Sequence, residues 1–269
     1  MKPSTLPTLV GIPYDAASSY LRGAADAPPH IRRALESPSS NSWSESLVDL
    51  AEPGVMDDAG DLDVSHGDVR AEIEAGIRDV MNAGGVPIAL GGDHSITYPI
   101  LRAVRPAHPK LTILHLDAHA DLYDEFDGDR YSHACPFARI MEEKLADRLV
   151  QVGLRTMTGH LRAQAQRFGV EAIDMRAWAA GKRPGVSGPV YLSVDLDVLD
   201  PAFAPGVSHW EPGGLSVRDV IDVIQSLKGA LVGADVVEYN PVRDPSGVTA
   251  MVAAKLVKEI AAVVIPTPA

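Results

Sequence analysis

Apolar residues fall into two rhythms along this chain. Short runs such as "TLVGI" (8–12), "VPIAL" (86–90), "LTILHL" (111–116), "LVQVGL" (149–154), "VEAIDM" (170–175), "PVYLSV" (189–194) and "LVGADVVE" (231–238) have the length and composition of buried strands. Between most of them, apolar residues recur at helical spacing. Val69, Ile73, Ile77 and Val80 make one such stripe, stopped by Gly84-Gly85, and Val217, Val220, Ile221, Ile224 and Leu227 make another. Ser216, three residues before Asp219, predicts a capping box at the start of the latter. A short helix is predicted from about Ile31 and a last one from about Thr249 to Val264. Apolar strands joined by helical crossovers predict a parallel sheet covered on both faces.

Two stretches break the rhythm. "PYDAASSYLRGAADAPPH" is a long loop after the first strand, and loops of that length are more often functional than idle. "NSWSESLVDLAEPGVMDDAGDL" is rich in turn residues and is predicted to be irregular. No linker, internal repeat or low-complexity segment divides the chain, so residues 1–269 read as one domain.

Charge narrows the function. The chain has 269 residues, 46% hydrophobic and 22% charged, with a formal net charge of −12. That balance and the absence of a basic stripe argue against nucleic acid as a partner and favour cations or positively charged substrates. No run reaches the length of a membrane span, and "MKPSTLPTLVGIPYD" lacks the apolar core of a signal peptide. Cys135 is the single cysteine, which rules out an internal disulfide, and cytoplasmic residence is the expectation.

Polar residues gather where such a sheet binds ligands, outside the carboxyl ends of its strands. "PIALGGDHS" ends in Asp93 and His94, "LHLDAHADLYD" in Asp117, His119 and Asp121, "YLSVDLDVLDP" in Asp195, Asp197 and Asp200, and "GADVVEYNP" in Glu238. In extended chain, residues two apart point to one side, so Asp117, His119 and Asp121 converge, as do Asp195 and Asp197. Carboxylates crowded in this way repel one another unless a cation sits among them. Four carboxylates with His94 and His119 balance two divalent cations, and an oxygen-rich set without thiolate suits Mn²⁺ better than structural Zn²⁺. Two such ions would share a water, ionised near neutral pH into a nucleophile.

Taken singly, each residue has a plainer reading. One strand-end Asp is usually a cap or turn residue, Ser95 reads as a helix cap, and Cys135 between Ala134 and Pro136 reads as packing. His115 is expected to face away from the ligands, as a core or interface histidine. His133, on the polar loop "DRYSHACPF", can reach the opening as a proton shuttle or remain a loop residue.

Together, "GGDHS", "DAHAD" and "SVDLDVLDPAFAPG" resemble the three signatures of the ureohydrolase family, which includes arginase, agmatinase, formimidoylglutamase and guanidinobutyrase. The resemblance covers nearly the whole chain and is strongest to plant-type arginases and bacterial agmatinase-like proteins. It implies an α/β fold, a three-layer α/β/α sandwich with a central, mainly parallel sheet of about eight strands. It implies two Mn²⁺ per subunit, one held by His94, Asp117, Asp121 and Asp195, the other by Asp117, His119, Asp195 and Asp197. His133 matches the family's proton-shuttle histidine, Glu238 the acid that pairs with the guanidinium, and Asp200 a position from which a carboxylate orients ligands. Asp121 would relay the proton of the attacking water to the departing amine.

The implied reaction is hydrolysis of a linear guanidino compound to urea and an amine, in a homo-oligomer, trimer or hexamer. Arginine and agmatine are both open as substrates, with guanidinobutyrate or formimidoylglutamate as alternatives. Acids of the loop "LYDEFDGDRYS" favour an amine tail, whereas an arginine carboxylate would need neutral donors such as Ser132, Ser18 or Ser19. Ala134 stands where many relatives have glycine, which leaves the pocket's shape open. From other classes, a phosphoesterase would be expected to carry more cationic groups, and a non-catalytic relative would be free to lose ligands.

Overall fold

The computed structural model describes residues 6–227 and 231–265; residues 1–5 of the N-terminal stretch lie outside them. Among the described residues, eight strands form one sheet: β1 (Leu6–Gly11), β2 (Asp57–Asp61), β3 (Gly85–Leu90), β4 (Thr112–Leu116), β5 (Arg148–Leu154), β6 (Glu171–Asp174), β7 (Val190–Asp195) and β8 (Leu231–Val237). Their order is β2-β1-β3-β8-β7-β4-β5-β6, and every pairing is parallel. The mainly parallel sheet expected from the sequence is therefore parallel throughout.

Alternation along the strands sorts their side chains onto two faces. On one face, Leu9, Ile88, Leu114, Val152, Leu192 and Val236 pack with α1 (Ala27–Leu35), α7 (Val217–Gln225) and α8 (Val248–Val264), joined by Trp178 of α6 (Met175–Ala179). On the other, Val10, Ala89, Ile113, Leu149 and Tyr191 meet α2 (Val69–Asn82), α3 (Thr97–Val104), α4 (Pro136–Glu142) and α5 (Gly159–Phe168). The result is the three-layer α/β/α sandwich. Ile88 is wholly buried in β3, and truncating it to Ala is expected to cost about 2–5 kcal/mol.

The capping box forms as predicted: the Ser216 hydroxyl accepts from the Asp219 N–H, and Asp219 accepts from the Ser216 N–H. The segment read as irregular contains a strand, β2, whose sequence "DDAGD" has no apolar alternation. It needs none, because it is an edge strand whose side chains are mostly exposed. Arg32 of α1 ties it down, reaching both oxygens of Asp58 at 2.7 and 2.9 Å and also bonding Asp61.

Sheet order also decides what the polar strand ends can do. The strands whose ends carry the charge, β3, β8, β7 and β4, are consecutive neighbours in the centre of the sheet. Residues from four distant parts of the chain thereby meet over one crevice.

Candidate functional site

At the end of β3 the chain turns through Gly91-Gly92. Gly92 has φ +88°, and a Cβ there would stand 2.7 Å from the Tyr14 carbonyl, so the turn that delivers His94 requires glycine. His94 is fully buried. Its Nδ1 lies 3.2 Å from Asp117 Oδ2, 3.1 Å from Asp121 Oδ2 and 3.2 Å from Asp195 Oδ2. Among the described residues Nδ1 nevertheless makes no hydrogen bond. A buried, unpaired nitrogen encircled by three carboxylate oxygens fits a cation-binding position and is otherwise costly.

Beside it, His119 Nδ1 lies 3.0 Å from Asp197 Oδ2 and 3.4 Å from Asp117 Oδ1. Asp117 thus turns one oxygen toward each histidine, an arrangement compatible with a carboxylate shared between two cations. The electrostatics agree. Burial and the nearby Asp197 and Asp117 hold the Asp195 carboxyl well above its usual range, and burial pushes Asp197 up to about 6 although His119 pulls it down. Burial opposes a charge on His94, but the three carboxylates outweigh it and raise its pKa well above normal. Without a cation the cluster holds protons; divalent ions would replace them.

His115 corrects the sequence reading. It does not face away: its Nε2 is 2.7 Å from Asp117 Oδ2, and its ring stacks on Phe137 with centroids 3.9 Å apart. Gln151 Nε2 donates to His115 Nδ1 at 2.9 Å and to the Ala120 carbonyl at 2.7 Å. Nδ1 is therefore an acceptor, and Nε2–H donates to Asp117. A histidine committed to that hydrogen bond orients the carboxylate and is not free to bind metal.

His94 has a buried partner behind it. His94 Nε2 is 2.9 Å from Ser193 Oγ, which donates to Asp235 at 2.7 Å. Asp235 also accepts from Tyr191 and Thr97, at 2.7 and 2.9 Å, so this buried carboxylate anchors the His94 side of the crevice. None of these partners carries a sequence signal, because Ser193 and Asp235 sit inside strands that look apolar.

A cavity of about 260 Å³ opens onto Asp121, Asp195, Asp197 and His119 and is walled by His133, Glu238, Ser19, Tyr123 and Phe126. Glu238 Oε1 accepts from the His94 N–H at 2.9 Å and lies 2.8 Å from His133 Nδ1. The main-chain N–H of Ser19 donates to His133 Nε2 at 3.1 Å, so in the neutral ring Nδ1 carries the proton and donates to Glu238. Burial disfavours a charge on His133, but Glu238 outweighs it and pushes the ring up to about 9. Asp121 and Glu238 adopt φ +50° and +64°, strained values for non-glycine residues that recur at functional sites.

Other expectations are revised by the same geometry. Ser132 does not wall the cavity; its hydroxyl accepts from the Ala134 N–H. Asp200 holds the N–H groups of Ala202 and Gly213 and touches none of the clustered carboxylates. Ser95 is not the cap: Asp93 is, accepting from the Ser95 N–H at 3.1 Å. Asp93 is fully buried and is pushed up to about 7, first by burial and then by Glu238. Asp124, Glu125, Asp127 and Asp129 stay off the cavity wall, where Tyr123 and Phe126 stand instead. Cys135 is buried, and burial pushes its thiol up to about 12, in keeping with a packing role. The sequence reading missed His209 and Glu211, which also face the cavity. Their signal was the alternation of His209 and Glu211 in a loop bounded by proline and glycine.

Among the described residues, no helix is long and apolar enough to cross a membrane. The arginase family model matches residues 7–262. A mitochondrial arginase 1 of Arabidopsis thaliana is 50% identical over 275 residues, covering 95% of this chain and 80% of its own. The solved structure of an arginase from Medicago truncatula superposes with a TM-score of 0.90 at 44% identity, covering 97% of this chain and 88% of the other. That of an agmatine ureohydrolase of Thermoplasma volcanium gives 0.84 at 34% identity, covering 98% and 91%. With this agreement along almost its whole length, the chain belongs to the arginase family of metal-dependent hydrolases that act on guanidino C–N bonds.

Proposed function

We propose that the protein is a manganese-dependent arginase, hydrolysing L-arginine to urea and ornithine, with residues 1–269 acting as one ureohydrolase domain. The observation that carries this reading is Glu238 at the cavity wall. Its Oε1 is used by His94 and His133, while Oε2 takes no hydrogen bond among the described residues and is free to receive a guanidinium. The similarity to plant arginases favours arginine as the compound that brings it.

His94, Asp117, Asp121 and Asp195 would hold one Mn²⁺, and Asp117, His119, Asp195 and Asp197 the other. When bound, the ions lower the pKa of water and polarise the guanidino group. Glu238 holds the planar cation by charge-assisted hydrogen bonds and orients its central carbon toward the crevice. Asp121 takes the proton of the attacking water and hands it to the departing nitrogen. His133 donates the proton that completes ornithine's amine, and Ser19 keeps its ring in place meanwhile.

Agmatine is the second reading, supported by a specific observation. Among the described residues no Lys or Arg lines the cavity, while Glu211 does, so an ammonium tail finds a partner more readily than a carboxylate. Hydrolysis by the Mn²⁺-loaded protein, read as urea from arginine, agmatine and guanidinobutyrate and as formamide from formimidoylglutamate, decides the matter. Arginine is expected to give the highest kcat/KM; agmatine ahead of it would overturn the substrate assignment, and no hydrolysis of any of them the function.

A further inference from the structure

The His119 side of the centre has no counterpart to the buried Ser193 and Asp235 among the described residues. What stands there is Arg155, directly after β5. Its guanidinium makes five hydrogen bonds, all to main-chain carbonyls: Nε to Glu211 at 2.8 Å, Nη1 to Gly153 at 3.0 Å and Val198 at 3.3 Å, and Nη2 to Asp197 at 2.6 Å and Leu199 at 3.3 Å. No Asp or Glu among the described residues forms an ion pair with it. Its own N–H donates to the Ala118 carbonyl at 3.0 Å, in the link between Asp117 and His119.

A second observation marks the guanidinium's place as built. A Cβ on Gly214 would fall 2.7 Å from Arg155 Nη2 and 2.6 Å from the Val198 carbonyl. Glycine leaves the room the guanidinium occupies.

We propose that Arg155 is the positioning residue for the His119 half of the metal centre. Its guanidinium joins the turn of Asp197 to the loop of Glu211 in one rigid fork, while its main-chain N–H holds the loop of Asp117 and His119. The fork aligns Asp197 with His119, and it holds Glu211 so that Oε1 stands 3.7 Å from His119 Nε2, behind the ring's metal-facing nitrogen. Only arginine suits this role, because its donors diverge in a plane toward several carbonyls, whereas a lysine ammonium reaches from a single point.

The inference rests on the two-ion reading above but not on the identity of the substrate. Its test is Mn²⁺ titration of the metal-free protein, with free Mn²⁺ read by electron paramagnetic resonance, for wild type, Arg155→Lys, Arg155→Ala and Gly214→Ala. Wild type is expected to take up two equivalents. In each variant one equivalent is expected to weaken by roughly 10–100-fold while the other holds, the size seen when outer partners of metal ligands are lost. At saturating Mn²⁺ the KM for whichever guanidino compound the wild type hydrolyses should stay the same, which a direct role in substrate binding would not allow.

Arg155→Ala is also followed by thermal unfolding. Should it fail to fold, Arg155→Lys and Gly214→Ala carry the test. Two unchanged equivalents in those variants would overturn the proposal, as would equal weakening of both. A wild type that binds two Mn²⁺ yet releases no urea would remove the functional reading and leave this one intact.

Discussion

His94 and His119 approach the same carboxylate, Asp117, from different surroundings. His94 is sealed in the core with its side chain 1% exposed, and its rear nitrogen contacts Ser193, which is itself held by Asp235. His119 has a side chain 26% exposed, and its rear nitrogen faces Glu211 across 3.7 Å. The first histidine is positioned by side chains inside strands β7 and β8, the second by loops that Arg155 gathers. One half of the centre is therefore part of the sheet's own core, and the other depends on connections outside it.

The largest expected effect comes from removing what the halves share. Asp195→Asn is expected to bring urea release to background and to lose Mn²⁺ from both positions; an active, metal-replete variant would break the picture of a shared bridge. Asp121→Asn and Asp197→Asn separate the halves. Each is expected to cost one equivalent of Mn²⁺, the first beside His94 and the second beside His119, which metal titration checks.

On the substrate side, Glu238→Gln is expected to lower arginine kcat/KM by an amount corresponding to about 2–5 kcal/mol, the usual cost of truncating a buried hydrogen-bonded charge pair. Steady-state urea assays with Mn²⁺ held saturating measure it. A smaller loss in the sheet half follows from Ser193→Ala. Asp235 loses one of three donors, at about 1–3 kcal/mol of stability, and metal affinity falls by roughly 10–100-fold. Denaturant unfolding and metal titration report the two effects separately.

The least of these effects concerns pH. In the metal-free protein His133 is pushed up to about 9, above the 6.5 of a free histidine: burial works against its charge, and Glu238 more than offsets burial. A raised folded-state pKa stabilises fully below the unfolded value, and that stabilisation is lost as pH rises through the folded one. The melting temperature of metal-free wild type should therefore exceed that of His133→Asn most near pH 6, with the gap closing toward about pH 9. A gap that widens instead would show that His133 is neutral in the fold.

The ligand cluster was legible because alternate spacing at a strand end is a local pattern. Asp117, His119 and Asp121 alternate within five consecutive positions, and in the fold Asp117 and Asp121 stand beside His94 while His119 meets Asp117 and Asp197. His115 was misread although it lies two residues from Asp117, on the same side of the same strand. Its place within the strand suggested a side chain turned away into the core, and it is indeed buried, but it belongs to the site as well. Strand β2 escaped notice because an edge exposed to water needs no apolar rhythm. His209 and Glu211 escaped because loop residues acquire a direction only from what they pack against.

By itself, the sequence determined the alternation of strands and helices, the kinds of donor atoms and which side chains share a strand end, since these follow from backbone periodicity over a few residues. Tertiary structure alone decided that β3, β8, β7 and β4 stand side by side, that Ser193 and Asp235 meet His94, and that Arg155 spans three loops. Those relations join residues far apart in the chain. They are set by how helices pack on the two faces of the sheet, which no local pattern encodes.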